Sequence, residues 1–131
     1  YDETGELPCL NQVELHPYLQ QRDLVAFHRE HGIVTESWSP LASGGDVLRN
    51  AVVLDVAAKH GMTPAQVIIR WHLDHGFVVI PKSVTPSRIR ENISVFGFAL
   101  DSDDMERLAT LDRGLRTGPD PDRFRMGAVG R

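Results

Sequence analysis

Lys82, Ser83, Thr85, Ser87, Arg88 and Arg90 crowd into FVVIPKSVTPSRIREN (residues 77–92), and the first acid, Glu91, comes only after them. Hydroxyls, a planar guanidinium fork and a compact ammonium are the groups that hold phosphate. Thr85-Pro86 predicts a helix start, with threonine at the N-cap and proline at the first helical position. Ser87 and Arg88 then occupy the first turn, with Lys82 and Ser83 in the loop before it. Helix starts ordinarily carry acids, because unpaired N–H groups and the helix dipole make that end electropositive. The chain contains its own contrast, since its last predicted helix opens Asp101-Ser102-Asp103-Asp104. A start loaded with cations instead suits an anion brought from elsewhere. The plainer reading is that Lys82, Arg88 and Arg90 are solvated surface cations. The stretch alone leaves both open.

The second constellation is CLNQVELHPY. In an extended strand Gln12, Glu14 and His16 share one face, and Val13 and Leu15 the other. A polar stripe inside a parallel sheet is costly unless it lines a site. In IVTESWSPLASGG the same alternation groups Val34, Glu36 and Trp38, with Trp38 at the carboxyl end of its strand. Ligands of α/β sheets bind at that end. An aromatic there stacks on a planar ring, and the loop behind it offers N–H groups to phosphate. Taken singly, Trp38 reads as a core aromatic. Glu14 and Glu36 read either as a general acid/base pair or as structural carboxylates. The structural reading is preferred, with partners beyond this chain, because no cation of the strands shares their faces. His28 and His72 fall within apolar helical patterns and read as packing residues. No GxGxxG, GxxxxGK[ST], HExxH or GxSxG pattern occurs.

The elements that position these residues follow from periodicity. Strands are predicted over 9–15, 33–38 and 77–80, the last apolar on both faces. Helices are predicted over 22–31, 51–60, 64–75, 86–95 and 102–111. Thr63 to Gln66 forms a capping box. The apolar faces carry Leu24, Val25, Phe27 and His28, then Val52, Val53, Val56 and Ala57, then Val67, Ile68, Trp71 and Leu73. Three helices close on His-Gly, at residues 31–32, 60–61 and 75–76, which reads as helix endings rather than a metal site. The alternation is that of an α/β fold with parallel strands and right-handed crossovers. The tail over 112–131 is predicted to be irregular and at the surface, either disordered or folded back as a lid.

Composition narrows the function. The 131 residues are 41% hydrophobic and 24% charged, with net charge −4, as suits one soluble domain and not a nucleic-acid surface. The single cysteine, Cys9, excludes an internal disulfide and a multi-Cys zinc site and fits a cytoplasmic protein. No apolar run approaches the ~20 residues of a membrane helix. The chain opens at Tyr1 within a polar stretch, and sequence upstream of it is expected.

NQVELHPY, TESWSPLA, TPAQVIIRWHL and VVIPKSVTPSRIRENISVFGFAL, followed by LDRG and TGPDPD, resemble the aldo-keto reductases, in particular the bacterial 2,5-diketo-D-gluconate reductase-like branch. The resemblance runs over residues 11–122. It implies a (β/α)8 TIM barrel, which takes ~250 residues. Residues 1–111 would be its carboxy-terminal part, strands six to eight with their helices, and 112–131 its tail. It implies that Gln12 meets the nicotinamide carboxamide and that Trp38 stacks on the nicotinamide. Ser39 and Leu41 would contact ribose and pyrophosphate. Lys82, Ser83 and Arg88, with Thr85 nearby, would hold the 2′-phosphate of NADP(H), and Glu91 and Asn92 would meet the adenine. The family's catalytic aspartate, tyrosine, lysine and histidine match no residue here; neither Tyr18 nor Lys82 is one of them. No metal is implied. The function implied is the cofactor-binding half of a reductase that turns aldehydes and ketones into alcohols. The alternative is a truncated, non-catalytic nucleotide-binding or regulatory module of the same fold. A different phosphate-binding barrel is a third reading, made weaker by the Gln12/Trp38 pair. The partners expected are a small carbonyl substrate and the amino-terminal half of the barrel, or a second copy of the chain. Neither nucleic acid nor membrane is expected. Three strands covered on one face leave open edges, so the isolated chain is expected to be unstable, to aggregate or to self-associate.

Overall fold

The computed structural model describes residues 3–123. The elements run β1 (Leu10–Glu14), α1 (Arg22–Glu30), β2 (Val34–Trp38), two 3-10 turns (Ala42–Gly44 and Asp46–Arg49), α2 (Ala51–His60), α3 (Pro64–Asp74), β3 (Val78–Val79), α4 (Pro86–Ile93) and α5 (Ser102–Ala109). The three strands form one parallel sheet in the order β1-β2-β3. The fold is α/β, as the alternation predicts. Register places Gln12, Glu36 and Val78 in one row and Glu14 beside Trp38 in another.

The two sheet faces differ. On the helix side, Leu15, Val53, Val56, Val67, Ile68, Trp71 and Leu108 are all but fully buried in one core. Burying a Leu, Ile or Val side chain contributes roughly 1.5–3 kcal/mol, so this layer holds the sheet. On the opposite face Leu10, Val34, Val78 and Ile80 remain 39–46% exposed. No helix of the described residues is long and apolar enough to cross a membrane.

The helix ends obey the local code. Thr63 accepts from the Gln66 amide while the Gln66 side chain accepts from the Thr63 amide, closing the capping box of α3. The His-Gly pairs are indeed helix endings: Gly32, Gly61 and Gly76 adopt φ of +68°, +63° and +76°. There a residue with a Cβ is strained. The Nδ1 atoms of His31 and His75 lie 2.9 and 2.8 Å from the carbonyls of Phe27 and Trp71, one turn back.

Two expectations need correction. Phe27 does not join the core; it is 48% exposed and stacks on His31. The buried stripe of α1 is narrower than the apolar pattern because Val25 and His28 fill it. His28 and His72 are more than packing residues, since each satisfies buried polar groups. His28 joins Asn11 at 3.0 Å and Thr35 at 2.9 Å. His72 joins the Ile68 carbonyl, the Leu15 carbonyl and the Ser37 hydroxyl, within 2.8–3.1 Å. Burial pushes the His72 imidazole down to about 4, because the charged form is poorly solvated there.

Residues 112–123 have neither helix nor strand and fold back onto the body. The amides of Arg113 and Leu115 both donate to the Tyr18 carbonyl, and the Arg113 guanidinium lies 4.1 Å from the Tyr18 ring centre. The rest of the predicted tail, 124–131, lies outside the described residues.

Candidate functional site

A groove of about 700 Å³ opens where the loop after β2, the start of α3 and the segment leading into α4 converge. Ser39 and Leu41 line it from the first of these. Lys82, Ser83, Thr85, Arg88, Glu91 and Asn92 line it from the last. Gln12 and Trp38 do not. They lie on the open face of the sheet, on neighbouring strands, with Trp38 half-buried at the end of β2.

The groove's positive charge comes from Lys82 and Arg88, beside the Glu91 carboxylate. Among the described residues neither takes part in an ion pair, unlike Lys59, Arg70 and Arg107, which all do. Thr85 holds the N-cap position in extended backbone, as predicted, but its hydroxyl makes no capping hydrogen bond. The expectation that it caps the helix is therefore corrected. Its own amide donates to the Ser83 hydroxyl at 3.3 Å, which ties the loop down instead. Proline at the first position contributes no N–H, and the following first-turn amides are those that a helix leaves unpaired. An uncapped helix start with two unpaired cations beside it favours an anion.

The loop after β2 has an unusual backbone. Ser39, Ala42 and Ser43 all have positive φ, at 50°, 47° and 58°. Left-handed backbone at residues other than glycine costs roughly 1 kcal/mol each and clusters at ligand sites.

Glu91 is fixed from across the groove. The Thr63 hydroxyl donates to its carboxylate at 2.6 Å, and Gln66 donates to its backbone carbonyl at 3.2 Å. Thr63, Pro64 and Ala65 thus form a wall, although their sequence pattern points only to helix capping. The available signal was the capping box itself, whose threonine hydroxyl serves both its own helix and the facing residue.

On the open sheet face, Gln12 donates its amide to Glu36, its neighbour in register. Glu14 is 1% exposed. It accepts from the Thr117 amide at 2.5 Å, the Thr117 hydroxyl at 2.6 Å and the Gly118 amide at 3.1 Å. His16 adds a contact at 3.1 Å. Partners for both carboxylates are therefore present in this chain, contrary to the expectation that they lie beyond it. Burial raises the Glu14 carboxyl, but the Thr117, His16 and Gly118 donors outweigh it and hold the group below its ordinary range. Burial likewise depresses the His16 imidazole, against the pull of Glu14. Tyr18 is buried on the helix side, its hydroxyl accepting from Asn50 at 3.1 Å.

Known proteins resemble the chain in sequence and fold. Residues 4–113 match the aldo/keto reductase family, and the chain belongs to it. It is 60% identical over 124 residues to methylglyoxal reductase DkgA of Escherichia coli K12, covering 94% of this chain and 45% of that protein. It is 52% identical over 121 residues to 2,5-diketo-D-gluconic acid reductase B of a Corynebacterium species, covering 92% and 44%. A crystal structure of a Gox0644 mutant in complex with NADPH superposes with a TM-score of 0.90 at 53% identity, covering 95% of this chain and 46% of that one. The chain thus spans about half the length of the curated relatives it matches. Its three-stranded sheet with helices is part of an aldo-keto reductase barrel.

Proposed function

We propose that this chain is the nucleotide-binding part of an NADP(H)-dependent oxidoreductase that reduces aldehydes and ketones to alcohols. One observation carries the reading: Lys82 and Arg88, unpaired among the described residues, face the groove beside an uncapped helix start. The residues present fit the cofactor. Lys82, Ser83 and Arg88 would hold the 2′-phosphate, with Thr85 beside them. Ser39 and Leu41 would meet the ribose and pyrophosphate, and Glu91 and Asn92 the adenine. Trp38 supplies a flat face at the carboxyl end of β2, and Gln12 an amide on the same sheet face. Bound NADPH supplies hydride to the carbonyl carbon. The forming alkoxide also needs a proton donor. In this reading that donor belongs to the first half of the barrel, which covers the open sheet face; a second copy of this chain is the alternative cover. The setting is cytoplasmic, with neither nucleic acid nor membrane as partner.

The test is a titration of the intact parent, this chain joined to the first half of the barrel, with NADPH and with NADH. Lys82→Ala and Arg88→Ala should each weaken NADPH about tenfold, as expected for one lost charge-assisted contact, and leave NADH nearly unchanged. Equal weakening of both nucleotides would sink the 2′-phosphate assignment. The non-catalytic alternative is separated by carbonyl-dependent NADPH oxidation: a regulatory module binds the nucleotide and leaves it unoxidised.

A further inference from the structure

The tail meets the sheet across 103 residues of sequence, and it does so on one carboxylate. Glu14 takes three donors from Thr117 and Gly118 while fully enclosed. Charge-assisted bonds of this kind are about twice as strong as neutral ones. Register sets Glu14 directly beside Trp38. Gly118 completes the contact: a Cβ there would stand 2.2 Å from Cη2 and 3.0 Å from Cζ3 of the Trp38 indole, and 3.3 Å from Glu14 Oε2. Those two carbons are the outer edge of the six-membered ring. Only glycine lets the backbone lie against that edge, so its missing side chain is used for close approach rather than for a turn.

We propose that Glu14 is a positioning residue: it clamps Thr117 and Gly118 against the outer edge of the Trp38 ring and so fixes the orientation of that indole. A half-buried tryptophan at the end of a strand is otherwise free to change rotamer. With one edge blocked by backbone, the ring keeps one pose and one face available for stacking. The clamp itself rests on geometry alone; its use in nicotinamide binding rests on the function proposed above.

The test uses the full chain with Glu14→Gln, Thr117→Val and Gly118→Ala. Trypsin cleavage after Arg116 reads the clamp, because proteolysis follows the population of the locally opened tail. Glu14→Gln should raise that cleavage about tenfold, the equivalent of one lost charge-assisted bond. Acrylamide quenching reads the ring, since Trp71 is 1% exposed and shielded, which leaves Trp38 as the quenchable indole. Quenching should rise in all three variants. NADPH and NADH affinity should fall by the same factor in each, because the nicotinamide is common to both nucleotides. Unchanged cleavage and quenching would overturn the clamp. Raised cleavage and quenching with unchanged affinity for both nucleotides would overturn its positioning role. That second outcome is distinct from failure of the proposed function, which shows as NADPH binding insensitive to Lys82→Ala and Arg88→Ala. If Glu14→Gln lowers the melting temperature wholesale, Thr117→Val and Gly118→Ala decide the matter from the tail side.

Discussion

Helices α4 and α5 begin in opposite ways. At the start of α5 Asp101 and Asp104 form a reciprocal capping box, and Lys59 and His60 of α2 close over the carboxylates at 2.6–2.8 Å. Asp101 and Asp104 both have partners within the chain, and Asp104 is fully buried. At the start of α4 the cap hydroxyl is unused, and Lys82 and Arg88 stand without an ion pair among the described residues. Both starts present the same electropositive backbone. One is neutralised to join two helices, and the other is left open toward a groove. The lesson is that polar residues stabilise a fold where their partners are internal and mark a binding site where they are not.

Acid should break the closed start and spare the open one. Asp104 is held at about 2 from an ordinary 3.8; burial opposes this, but Lys59, His60 and the Asp101 amide outweigh it. Its folded-state value is depressed, so its contribution is present above pH 3.8 and is lost as pH falls from 3.8 toward 2. That loss amounts to about 2 kcal/mol. His72 gives the larger acid effect and must be separated first. Its folded value of about 4 lies below 6.5, so protonation favours unfolding, and about 3 kcal/mol is lost between pH 6.5 and 4. Melting across pH 2–7 should therefore show two falls in stability. A His72→Gln variant should shrink the upper one, which the buried His16 and His28 and the half-buried His75 share, and Asp104→Asn the lower, which Glu14 and Asp101 share.

At neutral pH Asp104→Asn should cost about 2 kcal/mol, since it leaves Lys59 with Asp101 alone, takes the carboxylate from His60 and weakens the capping box. NADPH affinity should not change, and a change would dissolve the distinction between the two starts. Next in size are the Lys82 and Arg88 variants, which should leave the melting temperature alone while lowering NADPH affinity. The smallest effect sharpens the contrast most. Thr85→Asp gives α4 the acidic cap that α5 has and should stabilise it by about 1 kcal/mol. The same substitution should weaken NADPH more than NADH, because it sets an anion beside the 2′-phosphate position.

What could be read from sequence was what local chemistry dictates. The capping box of α3, the His-Gly endings and the strands around Gln12 and Trp38 each follow from residues a few positions apart. The groove was partly legible for the same reason, since Lys82 to Asn92 lie on one loop and one helix. The partners of the carboxylates were not. Glu14 finds Thr117 across 103 residues and Glu36 finds Gln12 across 24, and nothing in strand periodicity encodes either encounter. Nor does any residue type announce that Ser39, Ala42 and Ser43 turn left-handed, because none of them prefers it.

Those three residues set stability and affinity against each other under mutation. Glycine at Ser39 or Ser43 relieves the backbone strain and should raise the melting temperature slightly. It also removes side-chain bulk and a hydroxyl from the groove wall and frees a loop whose shape is otherwise fixed before any ligand arrives. In a saturation library scored twice, once for folded abundance and once for nucleotide retention, glycine at these positions should rank high on the first scale and low on the second. A homologue free of the nucleotide would drift toward glycine here.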